Sequence, residues 1–214
     1  LGPEPLIAEP DIDVPIVYVD DDVIVIAKPA GLVVHPGAGN TDRTLVNALL
    51  NYDPDLVHVP RAGIVHRLDK DTSGILVVAR NLSSHNYLTQ AISERTIKRE
   101  YQAVVHGALI SGGTVDAPID RHPNHRTKMA VKNGGRAAVT HYRLIEKFPH
   151  FTHIKCELES GRTHQIRVHM AHIGHPLIGD QTYGYRRGIP GKFSESIRQY
   201  VTAFPRQALH AWRL

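Results

Sequence analysis

The chain has little cysteine, little tryptophan and no long apolar run. A single cysteine, Cys156, among 214 residues excludes an intrachain disulfide framework and fits a reducing compartment. The apolar runs are far too short to span a bilayer. The start, LGPEPLIAEPDIDVP, has neither the basic nor the apolar region of a signal peptide. A cytosolic protein with no membrane partner is expected. Low-complexity tracts and internal repeats are also lacking. What is present is an ordinary globular composition, long enough for one large domain or two small ones with a core that needs no staples. The formal charge is +4, with 15 histidines besides. That mild excess favours an anionic partner such as nucleic acid.

Residues 1–15 hold four prolines and four acids and read as a linker remnant. Two β-branched runs follow, Ile16 to Val19 and Val23 to Ala27, joined by an acidic turn. PAGLVVHPGAGNTD is turn chemistry, and RTLVNALLNY has helical spacing. Strands are expected near Gly63 to Arg67 and Ile75 to Arg80, and a helix capped by Ser83 or Ser84 is expected to run to about Arg95. KREYQAVVHG reads as a strand. AAVTHYRLIEKF and FTHIKCELES read as a hairpin pair around Pro149 and His150, with Thr152, Ile154, Cys156 and Leu158 on the buried face. In GRTHQIRVHMAHIG the period changes: Ile166, Met170 and Ile173 mark a helix with Thr163 as N-cap and Gly174 as stop. The expected class is α+β, a mixed, mostly antiparallel sheet flanked by helices.

The stretch GIVHRLDKDTSGILVVAR raises the functional question. Asp69, Asp71, Ser73 and Gly74 match half of a calcium loop, but position twelve is Arg80 instead of a bidentate glutamate, and a strand-like run follows. A metal-dependent Asp-x-Asp phosphatase needs an apolar strand leading into the first aspartate, whereas His66, Arg67 and Leu68 intervene; Asp180 is one remote acidic candidate. A plain turn accounts for Asp71 to Gly74. It leaves Asp69 and the pair His66–Arg67 unexplained, although a surface ion pair is a common fate for an acid beside an arginine. The remaining reading is a lone catalytic aspartate placed by that turn.

HRLDKDTSG resembles the central motif of the RluA-type RNA pseudouridine synthases. DDVIVIAKPAGLVVHPG, KREYQAVVHG, GRTHQIRVHMAHIGHPLIGDQTYG and RQALHAWRL resemble further blocks of that family, in order, from about residue 16 to the end. LVVHPGAGNTDRTLVNALL is most similar to the branch acting on large-subunit ribosomal RNA, its synthase D group. The resemblance implies a pseudouridine synthase catalytic domain over residues 16–214, with a bent sheet. Relatives carry an N-terminal S4-like RNA-binding module and continue past Leu214, so a truncated catalytic domain is expected.

By that resemblance Asp69 is the catalytic carboxylate, Tyr101 the active-site tyrosine and Arg167 the cation keeping Asp69 ionised. The reaction breaks the C1′–N1 bond of a uridine, turns the base and joins C1′ to C5. It is an isomerisation that requires no cofactor and no metal. A carboxylate acting as nucleophile or base suffices, and attack at C6, attack at C1′ and proton removal at C2′ all remain open. The base must leave its stack to be reached. Tyr101 would stack on it and stand near C5, and Arg67 would fill the gap or hold a flanking phosphate, with His66 beside it. Ile166 and Leu68 suit either an apolar wall or the core.

The implied partner is a hairpin of 23S ribosomal RNA in which several uridines are modified, by a monomer. RHPNHRTKMAVKNGGR offers Arg126, Lys128, Lys132 and Arg136 for backbone clamping, beyond the ordinary role of a solvated loop. Arg162 joins this set, as does the cluster of Tyr183, Tyr185, Arg186 and Arg187. HPGAGNTD lacks the third glycine of a nucleotide loop. His164, His169, His172 and His175 lack zinc-site spacing. A non-catalytic RNA-binding module acting in ribosome assembly is the rival from another class.

Overall fold

A computed structural model describes residues 6–37, 39–184 and 193–214. They divide into two compact units. One runs as far as Ile97 and includes Leu214; the other is Lys98–Arg213.

The first unit holds three antiparallel strands in the order β1 (Ile16–Val19), β2 (Val23–Lys28), β3 (Ser73–Ala79). The β1–β2 turn closes because the Asp20 carboxylate accepts the backbone N–H groups of Asp22 and Val23 at 2.9 and 2.8 Å. Along β2 every second residue faces the core: Ile24, Ile26 and Lys28. β3 ends in four consecutive buried residues, Leu76 to Ala79, as a strand covered on both faces must. Helix α2 (Leu82–Ser93) places Leu88 against Val77 and Ala79. Helix α1 (Leu45–Tyr52) is buried from Leu45 to Leu50. The proline-rich segment before β1 is tied down. The Glu9 N–H donates to the Asn47 carbonyl, the Asn47 side chain donates to the Ile7 carbonyl, and the Ala27 N–H donates to Pro15.

Two local expectations give way here. The cap of α2 is Asn81, whose side chain accepts the Ser84 N–H at 2.9 Å; Ser84 is its reciprocal partner inside the first turn. Gly63 to Arg67 form no strand. Pro54–His58 and Pro60–Gly63 are 3₁₀ turns, and only Ile64 makes a single bridge, to Val78. Arg61, Ala62 and Gly63 are successive left-handed residues, with φ of 55°, 52° and 79°. A β-carbon at Gly63 would lie 2.1 Å from the Ala79 carbonyl oxygen, so close passage over the end of β3 demands glycine. The β-branched pattern of IVH lost to that turn.

The second unit is built on β4 (Glu100–His106), β5 (Gly113–Asp116), β8 (Val139–Lys147), β9 (Phe151–Leu158) and β10 (Leu209–Arg213). They run β10-β4-β9-β8-β5, and the pairings are antiparallel. β6 (Ile119–Arg121) and β7 (Met129–Val131) form a separate hairpin. Thr152, Ile154 and Cys156 are buried in β9, as the alternation predicts, whereas Leu158, the last residue of the strand, is only half-buried. Burial pushes the Cys156 thiol up to about 12, which makes it an inert thiol.

Helix α3 (Gln165–His172) starts one residue later than expected. Its N-cap is His164, in a left-handed conformation with φ 58°, and not Thr163. Gly174 does stop it, at φ 82°. Residues 165–170 are buried all round, so α3 is a core helix and not an amphipathic one. Helix α4 (Glu195–Ala203) has no buried residue. Among the described residues no helix is long and apolar enough to cross a membrane.

Candidate active site

The expected site residues divide between the units: Asp69 belongs to the first, Tyr101 and Arg167 to the second. Asp69 opens a tight turn, its carbonyl accepting the Thr72 N–H at 3.1 Å. The turn therefore spans 69–72, two residues earlier than the expected Asp71 to Gly74. Gly74 already pairs in β3, with the positive φ foreseen for it.

What fixes this turn is chiefly main chain. Lys28 is 1% exposed. Its ammonium donates to the carbonyls of Pro29, Leu32 and Lys70 at 2.8, 2.9 and 3.0 Å. The Gly31 N–H reaches the same Lys70 oxygen at 2.9 Å. A buried ammonium needs its donors satisfied, and here one of its acceptors belongs to Lys70, the residue that follows the aspartate. Sequence reasoning missed Lys28. The signal was available: Ile24, Ile26 and Lys28 share one face of a period-two strand.

Upstream, Leu68 is buried, and the Val77 N–H donates to Nε2 of His66 at 3.1 Å. That nitrogen is thereby an acceptor, so the ring proton sits on Nδ1. His66 is an anchor onto β3. Arg67, between these two anchors, is exposed, and Asp69 is half-buried. The motif thus alternates anchored and presented residues.

In the second unit, Tyr101 is the second residue of β4, opposite Cys156 of β9 and Ala211 of β10. Both neighbours are small, so neither adjacent strand lays a bulky side chain across the ring. Tyr101 is 7% exposed. Arg167 on α3 is buried and held by Asp180. Nε donates to Oδ2 at 2.7 Å, and Nη2 to Oδ1 at 3.1 Å. Burial pushes the Asp180 carboxyl up. The Arg167 bonds and charge, with the Thr182 and Tyr183 amides, outweigh this and hold it below the ordinary carboxylate range. Asp180, weighed above as a remote metal ligand, is an arginine's counter-ion. Two of the five guanidinium N–H groups serve it.

The expected RNA contacts fall into two groups. Arg126 is exposed near the tip of the β6–β7 hairpin, and exposed Lys132 pairs with Asp120 at 3.5 Å. The Arg136 backbone bridges Ile119. Lys128, Arg162 and Tyr183 have internal duties. Lys128 donates to the Thr182 carbonyl at 3.0 Å, Arg162 to the Ala137 carbonyl at 3.0 Å, and the Tyr183 oxygen accepts the Met129 N–H at 2.9 Å. Tyr185, Arg186 and Arg187 lie outside the described residues. Among the described residues no three histidine, cysteine, aspartate or glutamate side chains gather as a metal site. His169 is instead fully buried between Thr140 and the Ala117 carbonyl, and burial lowers its pKa.

Residues 22–172 match the family described as RNA pseudouridylate synthase. The chain is 59% identical over 204 residues to the ribosomal large subunit pseudouridine synthase D of Xanthomonas campestris, covering 95% of this chain and 62% of that protein. It is 56% identical over 204 residues to the enzyme of that name from Escherichia coli K12, covering 95% and 63%. It thus spans about three fifths of the length of these relatives. The solved structure of human RNA pseudouridylate synthase domain containing 1 superposes with a TM-score of 0.72 at 25% identity, covering 93% of this chain and 76% of that one. A second human structure, RNA pseudouridylate synthase domain containing 4, gives 0.70 at 25% identity over 92% and 82%. Sequence and fold agree, and the chain belongs to the RNA pseudouridylate synthase family.

Proposed function

We propose that this protein isomerises uridine to pseudouridine in RNA, at several uridines of one hairpin loop of 23S ribosomal RNA. The observation that carries the proposal is the presentation of Asp69: a half-buried carboxylate on a turn anchored by a buried lysine, in a chain of this family. Asp69 acts as nucleophile or base on the flipped nucleotide. Arg167 supplies the positive charge that pairs with the Asp69 carboxylate during the reaction. Tyr101 stacks on the uracil and handles the proton at C5. Exposed Arg67 assists flipping, while Arg126, Lys132 and Arg136 hold the phosphate backbone. The reaction is an isomerisation with no net redox change, for which a positioned carboxylate suffices without cofactor or metal. The enzyme works as a monomer in the cytosol, on ribosomal RNA.

The test is tritium release from 23S transcript labelled at uridine C5, with EDTA present, by the parent and by Asp69→Asn. Release by the parent alone supports the proposal. Release abolished by EDTA would favour metal chemistry, and binding without release in a full-length form would favour the RNA-binding module.

A further inference from the structure

The turn that follows α3 touches Arg167 from two sides. Asp180 binds the Nε–Nη2 edge, and its Oδ1 also accepts the backbone N–H groups of Thr182 and Tyr183, both at 2.9 Å. Those bonds fold residues 180–183 back, so that the Tyr183 ring lies under the guanidinium, 5.0 Å from its central carbon. One carboxylate thus holds the arginine and also shapes the loop carrying its aromatic platform.

Tyr183 is itself fixed. Its oxygen accepts the Met129 N–H at 2.9 Å and lies 2.7 Å from Nδ1 of His164. His164 is the left-handed N-cap of α3, so this contact braces a strained residue three positions before Arg167. The ring packs with Val168, Ile119, Met129 and Val131. Lys128 adds a second tie from the hairpin, to the Thr182 carbonyl.

We propose that Asp180 and Tyr183 form a clamp that positions Arg167, and that Tyr183 is a positioning residue that couples this clamp to the basic β6–β7 hairpin instead of stacking on RNA. The phenol oxygen is taken by the hairpin backbone and His164, and one ring face is taken by the guanidinium. The inference rests on the proposed role of Arg167 toward Asp69.

The test is single-turnover tritium release with the full-length protein in excess over transcript. The rate at saturation reports the chemistry, and half-saturation reports binding. Tyr183→Leu, which loses both the ring and the oxygen, should slow the saturated rate about 30-fold; Tyr183→Phe, which keeps the ring, about threefold; Asp180→Asn about 100-fold. Half-saturation should stay within about twofold. Asp180→Asn combined with Arg167→Lys should be no slower than Arg167→Lys alone. Weakened half-saturation with an unchanged saturated rate would make Tyr183 an RNA contact and overturn the clamp. A lower melting temperature with an unchanged saturated rate would make both residues merely structural and also overturn it. If Asp180→Asn does not fold, the two Tyr183 variants decide alone. If Arg167→Lys keeps the parental rate, the role of Arg167 fails and the clamp falls with it. If Arg167→Lys is slow while the clamp variants are not, only the clamp is wrong.

Discussion

The turn at Asp69 is fixed through main-chain oxygens, whereas the Arg167 guanidinium is fixed through a side-chain carboxylate and a ring. In the first unit a buried lysine ties the Lys70 carbonyl, next to the aspartate, to those of Pro29 and Leu32, and the aspartate side chain is half-buried. In the second, the functional side chain is itself gripped, with 7% of Arg167 and 0% of Asp180 exposed. A backbone anchor lets the presented residue change without touching the anchor. A side-chain anchor makes the functional group part of the core. Substitution of Asp69 should therefore separate activity from stability, and substitution of Arg167 or Asp180 should not.

The largest effect tests that separation. Asp69→Asn should cut turnover on the order of 10³-fold or more while leaving the urea midpoint unchanged. A large loss of stability in that variant would erase the contrast.

Next come the anchors. Asp180→Asn leaves a buried guanidinium without its counter-ion and should cost about 3–5 kcal/mol at neutral pH. The pH dependence sharpens this. The Asp180 carboxyl is held below its ordinary 3.8, so its stabilisation is present above about pH 4 and is lost as pH falls through the lowered folded value. Urea titrations from pH 7 to pH 2 should show the parent and the variant converging at the acid end. A gap that stays constant to pH 2 would place the effect elsewhere.

Lys28→Met should cost about 2–4 kcal/mol, since the carbonyls of Pro29, Leu32 and Lys70 lose a charged donor. It should also slow turnover by loosening the Asp69 turn. If stability falls while the saturated rate holds, the anchor supports the fold and not the site.

The smallest effect belongs to the exposed hairpin. Arg126→Ala should weaken RNA binding uniformly across sequences and lower the slope of log K against log salt by about 1. The saturated rate should not change. A change in that rate would mean that the hairpin tip reaches the chemistry.

Much of this was legible in the order of residues. A β-branched run marked β2, and period-two alternation marked β9 and the burial of Cys156, because a strand has two faces and only one pattern fills a core. The resemblance of HRLDKDTSG to the family motif marked Asp69. Failures clustered where a distant contact overrode local preference. Gly63 to Arg67 look like a strand but bend across the end of β3. Thr163 is the better intrinsic cap, yet His164 takes the position in contact with Tyr183, 19 residues on.

The sequence by itself determined the family, the strands β2, β4, β8 and β9 and the basic character of the hairpin. Each is a local property of side-chain chemistry and spacing. Only the tertiary structure decided that Lys28 anchors the Asp69 turn, that Asp180 is the counter-ion of Arg167 and that Tyr183 is turned inward. Lys28 is separated by 42 residues from Lys70, Arg167 by 13 from Asp180, and Tyr183 by 54 from Met129. No local spacing encodes such pairs. They form because a buried charge or donor must find a partner, and the fold determines which one is within reach.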